Sequence, residues 1–324
     1  MSFQKPSLAF DATRYVLQND AVELHPITHA CASQLGLSSP LGTDCVGLPR
    51  PVVDRINHLI RHADPIWQSS SGDKAVIGLS PDIVAKIGHD VDTRSFELLD
   101  YIHKQHPELP IPQIHGALRS ARTTYILQDR ASGAPLNHLW ATLDAAQKGA
   151  IKEQLDHIFS KLRSLPHTPD VDGRPSWGSG LPRRCKDGRM YQRVADATIE
   201  DSNGFIDFLL PRPRTAATTE RTAFVKTALK ECISTTTVLT HGDLQPRNIV
   251  VNLDPDSGSV KITGLVDWDY AGWYPTCWEY VKALTNNPPA AAGAPDWWRY
   301  LPEAVGSWGA VHALDLMVER LHRS

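Results

Sequence analysis

Two apolar segments, "NIVVN" beginning at Asn248 and "VKITGLVDW" beginning at Val260, are separated by the turn-forming run "LDPDSGS". β-prone runs flanking such a turn predict an antiparallel hairpin. This constrains the chain more than any other feature, because residues at one end of a hairpin are forced together. If 248–252 pairs with 260–266, Asn248 and Asp267 fall at the same end. Just upstream, "LTHGDLQPRN" adds His241 and Asp243 on a tight loop that Pro246 stiffens. The loop by itself could be a plain polar turn held by Asx hydrogen bonds. Asp267 at matching register argues against that.

The rest of the chain reads as α+β. Residues 1–50 form an irregular N-terminal extension, rich in Pro, Gly and Ser near its end, with one helix near 28–36. A second helix is predicted near 51–62. Over 51–130, "AVIGL" and "DIVAKIG" read as strands of a small antiparallel meander, and "PQIHGALRSARTTYILQDR" as a further hairpin. Between them, "TRSFELLDYIHKQ" carries Phe96, Leu99 and Ile102 or His103 on one helical face. From 131 to 324 the pattern turns helical. An amphipathic helix is predicted over 144–165, with Ile151, Leu155, Ile158, Phe159 and Leu162 on one face. An insertion at about 166–215 is too long for an ordinary connection, so it is functional or packs as a cover. A β-rich N-lobe and a helical C-lobe, joined near 128–135, are expected.

Composition narrows the function classes. With 33 basic and 36 acidic residues, the net charge of −3 points to neither nucleic acid nor an anionic membrane as partner. The apolar runs are too short to span a bilayer, and the N-terminus has no basic segment followed by an apolar one. Five scattered cysteines without a CxxC fit a reducing cytoplasm rather than a zinc site or disulfide framework. A monomer is the default.

The loop and hairpin carry a specific chemistry. Phosphoryl transfer needs a carboxylate to take or orient the proton of the attacking hydroxyl, hard oxygen ligands for Mg²⁺, and a cation on the phosphates. Asp243, Asn248 and Asp267 supply the first two. "HGDLQPRN" followed by "GLVDWDYAGWYPTCWEYVKAL" resembles the aminoglycoside phosphotransferase and choline kinase-like family, its fungal branch in particular. The resemblance covers roughly 65–290. It implies a protein-kinase-like two-lobe fold with a nucleotide cleft between the lobes, and ATP with Mg²⁺ as cofactors. The implied acceptor is a hydroxyl of a small molecule.

By resemblance, Asp243 is the catalytic base, Asn248 and Asp267 bind Mg²⁺, and Asp269 lies near a second metal or the substrate. His241 supports the loop. Gly242 stands where protein kinases carry Arg, so control through a phosphorylated activation loop is not expected. Lys86 in "DIVAKIG" takes the place of the phosphate-contacting Lys. Ser71 and Gly72, in the turn "SSSGD", would cover the phosphates, and backbone groups of Leu127, Gln128, Asp129 and Arg130 would hold the adenine. The chain departs from the family at Ser95, where a Glu that pairs with the Lys is usual. Either Glu97 replaces it or the ion pair is missing, which would leave a catalytically impaired, pseudokinase-type binding protein. Transfer of AMP on the same fold is a further alternative.

Three features have two readings each. The tryptophans at 268, 273, 278, 297, 298 and 308 could form an aromatic cage or pack a core. Arg183, Arg184 and Arg189 could clamp an anion or belong to a solvated loop, and this basic run is unlike the acidic lining of aminoglycoside pockets. Cys45 and Cys185 could be reactive or inert thiols.

Overall fold

The computed structural model describes residues 9–37, 47–89, 91–168, 173, 176–188, 193–212, 215–286 and 294–323. The chain divides into two compact units, Met1–Thr93 with Pro112–Ala131, and Arg94–Ile111 with Ser132–Ser324.

The first unit contains strands β1 (Val22–His25), β2 (Asp64–Gln68), β3 (Lys74–Gly78), β4 (Ile83–His89), β5 (Ile114–Ser120) and β6 (Thr123–Asp129), with helices α1 (His29–Leu35) and α2 (Arg50–Arg61). Among the described residues the strands form one antiparallel sheet in the order β1-β5-β6-β4-β3-β2. Alternation along β4 sends Ile83, Ala85 and Ile87 into a core shared with Val52, Val53, Ile56 and Ile60 of α2. Lys86 lies on the other face of the sheet, in register with Val76 and Ile126.

Both helices expected near the N-terminus are present. β1 is not foreseen by the sequence: "VELH" is short, half polar and followed by Pro26. Its pairing with β5 makes it an edge strand, so the extension completes the sheet instead of trailing from it.

The second unit is mainly helical. It holds α3 (Phe96–Gln105), β7 (Ala134–Pro135), α4 (Leu136–Leu139), α5 (Ala145–Ser164), β8 (Lys186–Asp187), β9 (Arg193–Val194), α6 (Ser202–Leu209) and α7 (Ala216–Cys232). β10 (Thr237–Thr240), β11 (Ile249–Leu253), β12 (Val260–Leu265), β13 (Gly272–Pro275), α8 (Trp278–Thr285) and α9 (Gly309–Arg323) follow. A capping box between Asp144 and Gln147 starts α5, and its five expected apolar residues are buried.

The described part of the insertion is packed, not looped out. Trp177, Cys185, Ala195, Ile199 and Phe205 share a core with Tyr274, Trp278 and Val281. Trp268, Trp273, Trp278 and Trp297 are buried, which favours the core reading for these four, while Trp298 is exposed. Among the described residues no helix is long and apolar enough to cross a membrane.

Candidate active site

The site is built around the hairpin of β11 and β12. Ile249 pairs with Leu265, and the Val266 amide donates to the Asn248 carbonyl at 2.9 Å. The residues flanking that end are therefore Asn248 on one side and Asp267 on the other. A 3₁₀ turn at Pro246–Asn248 closes the loop into β11.

The loop ahead of the hairpin is buried and fixed from several directions. His241 is fully buried, and its Nδ1 accepts the Asp243 amide at 3.2 Å. That assigns the proton to Nε2, which donates to the Val266 carbonyl at 3.0 Å. A neutral imidazole thus ties the loop to the strand that leads into Asp267. Its ring also meets the edge of Trp268, with centroids 4.7 Å apart.

Gly242 has φ +77°, and a Cβ there would lie 2.5 Å from the Tyr270 carbonyl oxygen. No larger residue, Arg included, fits without moving backbone.

Beneath the loop, Glu279 of α8 accepts the His241 amide at 2.5 Å and the Gly242 amide at 3.3 Å. Burial pushes the Glu279 carboxyl up, against the opposing pull of Arg163 and the two amides.

Asp243 is almost fully buried and takes donors on both carboxylate oxygens. Asn286 Nδ2 reaches Oδ1 at 2.6 Å, beside the Gln245 amide. Asn248 Nδ2 reaches Oδ2 at 2.7 Å, and Arg247 reaches the same oxygen at 3.2 Å. Asn248 Nδ2 also lies 2.8 Å from the Asp243 carbonyl, so its amide nitrogen faces Asp243.

Asp267 has φ +67° and ψ +63°, the left-handed region that a non-glycine residue rarely adopts. Such strain persists only where surrounding structure holds it. The 3₁₀ turn Trp268–Tyr270 follows, and Trp268 Nε1 donates to the Leu265 carbonyl at 2.8 Å. The Tyr270 hydroxyl is pushed up to about 12, first by burial and then by Asp269, Asp243, Asp267 and Asp187.

The insertion reaches the same place. Consecutive residues of β8 point opposite ways. Lys186, 2% exposed, donates from Nζ to the Asp269 carbonyl at 3.0 Å. Asp187 binds Arg193 at 2.6 Å and Lys282 of α8 at 3.2 Å. Lys282 also lies 5.7 Å from the Tyr270 ring centroid. Arg183 is spent within the insertion, on Thr168 and Ser176, and Arg184 on Thr198. Arg189 and Cys45 lie outside the described residues. Burial pushes the Cys185 thiol far up, as expected of an inert structural cysteine.

The other expected site residues are spread over both units. Lys86, Ser71, Gly72 and Leu127 to Arg130 belong to the first, and Glu97 to the second, where it is exposed in the first turn of α3. Ser95 is buried at the N-cap of that helix. The Asp129 and Arg130 amides already donate to the Gln113 and Asp82 carbonyls. The Asp129 carboxylate binds His115 at 2.6 Å, and Arg130 binds Asp64 at 2.6 Å.

Glu279, Lys282, Asp187, Lys186 and Asn286 were not singled out from the sequence. A signal existed for two of them. In "CWEYVKAL" an acid and a base sit three apart in an otherwise apolar helix beside the loop motif. Charges lacking a polar face to share must find buried partners.

No curated protein matches the chain in sequence. Among solved structures, the gentamicin complex of APH(2")-IIa aligns with a TM-score of 0.50 at 13% identity, covering 86% of each chain. The streptomycin–ATP ternary complex of APH(2")-IIa aligns equally well at 0.50 and 12% identity, covering 85% of this chain and 87% of that one. At such identities the likeness shows the fold, an antiparallel sheet and helices arranged as in aminoglycoside phosphotransferases. The model of the phosphotransferase enzyme family (APH) matches residues 93–310, more than half of the sequence and all of the loop, hairpin and α8, and the chain belongs to that family.

Proposed function

We propose that the protein is an ATP- and Mg²⁺-dependent phosphotransferase acting on a hydroxyl group of a small molecule, within the fungal branch of its family. The observation that carries this is the β11–β12 register, which sets Asn248 and Asp267 at one end with Asn248 bonded to Asp243.

Asp243 takes the proton of the acceptor hydroxyl as its oxygen bonds to the γ-phosphorus. The bond from γ-phosphorus to the bridging oxygen breaks, and ADP leaves. For Asp243 to act, one carboxylate oxygen must exchange an amide donor for the acceptor. Oδ1, shared by Gln245 and Asn286, is the natural choice. His241 and Glu279 hold the loop and do not react.

The donor set fits Mg²⁺. Asn248 Oδ1 and the Asp267 carboxylate are hard oxygens, and Asp269 stands two residues on. Bound there, Mg²⁺ would offset phosphate charge. By the family resemblance, Lys86, Ser71 and Gly72 are the candidate phosphate contacts of the first unit.

The test is Asp243→Asn, assayed for ADP release across a panel of hydroxylated metabolites. Transfer falls by at least about a thousandfold, the range for loss of a catalytic base, while ATP still raises the melting temperature. Equal turnover in the variant sinks the assignment. A second reading, a binding protein without turnover, draws on the four donors that occupy Asp243. It predicts stabilisation by ATP and Mg²⁺ with no ADP release from any acceptor.

A further inference from the structure

Lys186 is a lysine in a place where lysines are rare. Its side chain is buried, it belongs to the insertion and not to the motif, and its Nζ donates to the carbonyl of Asp269 at 3.0 Å. Burying an ammonium costs several kcal/mol unless nearby charge and hydrogen bonds offset it. Here the ammonium is bonded to the turn that carries Asp267 and Asp269.

The strand that carries Lys186 is held firmly. Its amide donates to the Tyr274 hydroxyl at 2.9 Å, and the next residue, Asp187, is fixed by Arg193 and Lys282. Opposite lies the turn that begins at the left-handed Asp267. A strained turn needs restraint from outside itself, and Lys186 supplies it two residues beyond the strained one.

We propose, on the reading of Asn248 and Asp267 as magnesium ligands, that Lys186 is a positioning residue of the metal site. It holds the Asp267–Asp269 turn in its ligating conformation. The insertion thereby helps assemble the phosphate-side chemistry.

The test is calorimetric titration with ADP in EDTA and in saturating Mg²⁺, on the full-length chain. The ratio of the two dissociation constants reads metal use without any acceptor. In the wild type Mg²⁺ tightens ADP binding, and in Asp267→Ala that ratio collapses. Lys186→Met, which keeps the volume but not the charge or donor, lowers the ratio about tenfold, the usual cost of removing a group that orients a metal ligand. Binding in EDTA stays as in the wild type. Lys186→Arg restores part of the ratio. Should the Met variant not fold, as judged by circular dichroism, Lys186→Gln takes its place and lowers the ratio likewise.

A wild-type ratio in the folded variant, with Asp267→Ala collapsed, overturns the role of Lys186 alone. A wild-type ratio in Asp267→Ala overturns the metal assignment and the role of Lys186 with it. A loss in EDTA as large as the loss in Mg²⁺ marks Lys186 as a packing residue and also overturns the proposal.

Discussion

Two polar turns of this chain look alike in sequence and differ in construction. "SSSGD" (69–73) joins β2 to β3, and "HGDLQPRN" (241–248) joins β10 to β11. The first is knit largely to itself. Ser69 and Ser71 donate to the Asp73 carboxylate, the Lys74 amide to Ser69 Oγ at 3.1 Å, and the Gly72 amide to the Ser69 carbonyl at 2.9 Å. One tie, from the Tyr15 hydroxyl to the Gly72 carbonyl at 3.0 Å, comes from far along the chain. The second turn is buried and held by Glu279, Val266 and Asn286, all distant in sequence. A turn that only reverses the chain can satisfy itself. One that must hold a carboxylate to within a fraction of an ångström draws restraint from the surrounding structure.

The sharpest way to break the comparison is Glu279→Ala. It leaves the buried amides of His241 and Gly242 without their acceptor and removes the negative charge that acts on the half-buried Arg163. The expected loss is about 3 kcal/mol by chemical denaturation, together with loss of ADP release. Removing any single partner of the 69–73 turn costs far less.

The two glycines come next. Gly242→Ala sets a Cβ against the Tyr270 carbonyl, which is backbone and cannot step aside, at φ +77°. About 2–3 kcal/mol is expected, from the strained φ and the forced backbone shift. Gly72 has φ +68°, but there a Cβ meets the side-chain ends of Arg14 and Gln68, which can move. Gly72→Ala is expected to cost about 1 kcal/mol. Equal losses at the two sites, measured side by side, would show that φ alone decides and that the surroundings of Gly242 add nothing.

The same contrast explains what the sequence made legible. Hairpins and long helices announce themselves locally, through turn residues and period. β3 to β6, β11, β12 and α5 therefore lie where the pattern puts them. The meeting of Asn248 and Asp267 followed because a hairpin converts sequence distance into spatial proximity. Glu279 and Asn286 reach the site from the two ends of α8 and Lys186 from β8, elements whose packing no local pattern encodes. β1 escaped because four mixed residues carry no alternation. Ser95 was legible as a departure from the family. What it means for Lys86 was not, because that depends on tertiary packing and not on a local pattern.

The smallest expected effect is also the most diagnostic, because its sign differs between the two turns. Hydrogen bonds from Ser69 and Ser71 hold the Asp73 carboxyl below its ordinary value. Its contribution is therefore present above the usual carboxylate range and is lost as pH falls through the lowered folded value. Glu279 is raised by burial. The folded chain holds that proton more tightly than the unfolded one, so its effect runs the other way, and stability declines as pH rises from the unfolded value through the folded one. Asp73→Asn, on an exposed turn, shifts stability by about 0.5 kcal/mol or less near neutrality and slightly flattens the loss in mild acid. Glu279→Gln keeps an acceptor for the loop amides but removes the titration, so its deficit relative to the wild type shrinks as pH rises from about 4.3, the ordinary glutamate value. Denaturation curves of the two variants and the wild type, compared across the acid range, read both slopes. Parallel curves for Glu279→Gln and the wild type would mean that Glu279 titrates as it does in the unfolded chain, and that the loop rests on a carboxylate already comfortable with its charge.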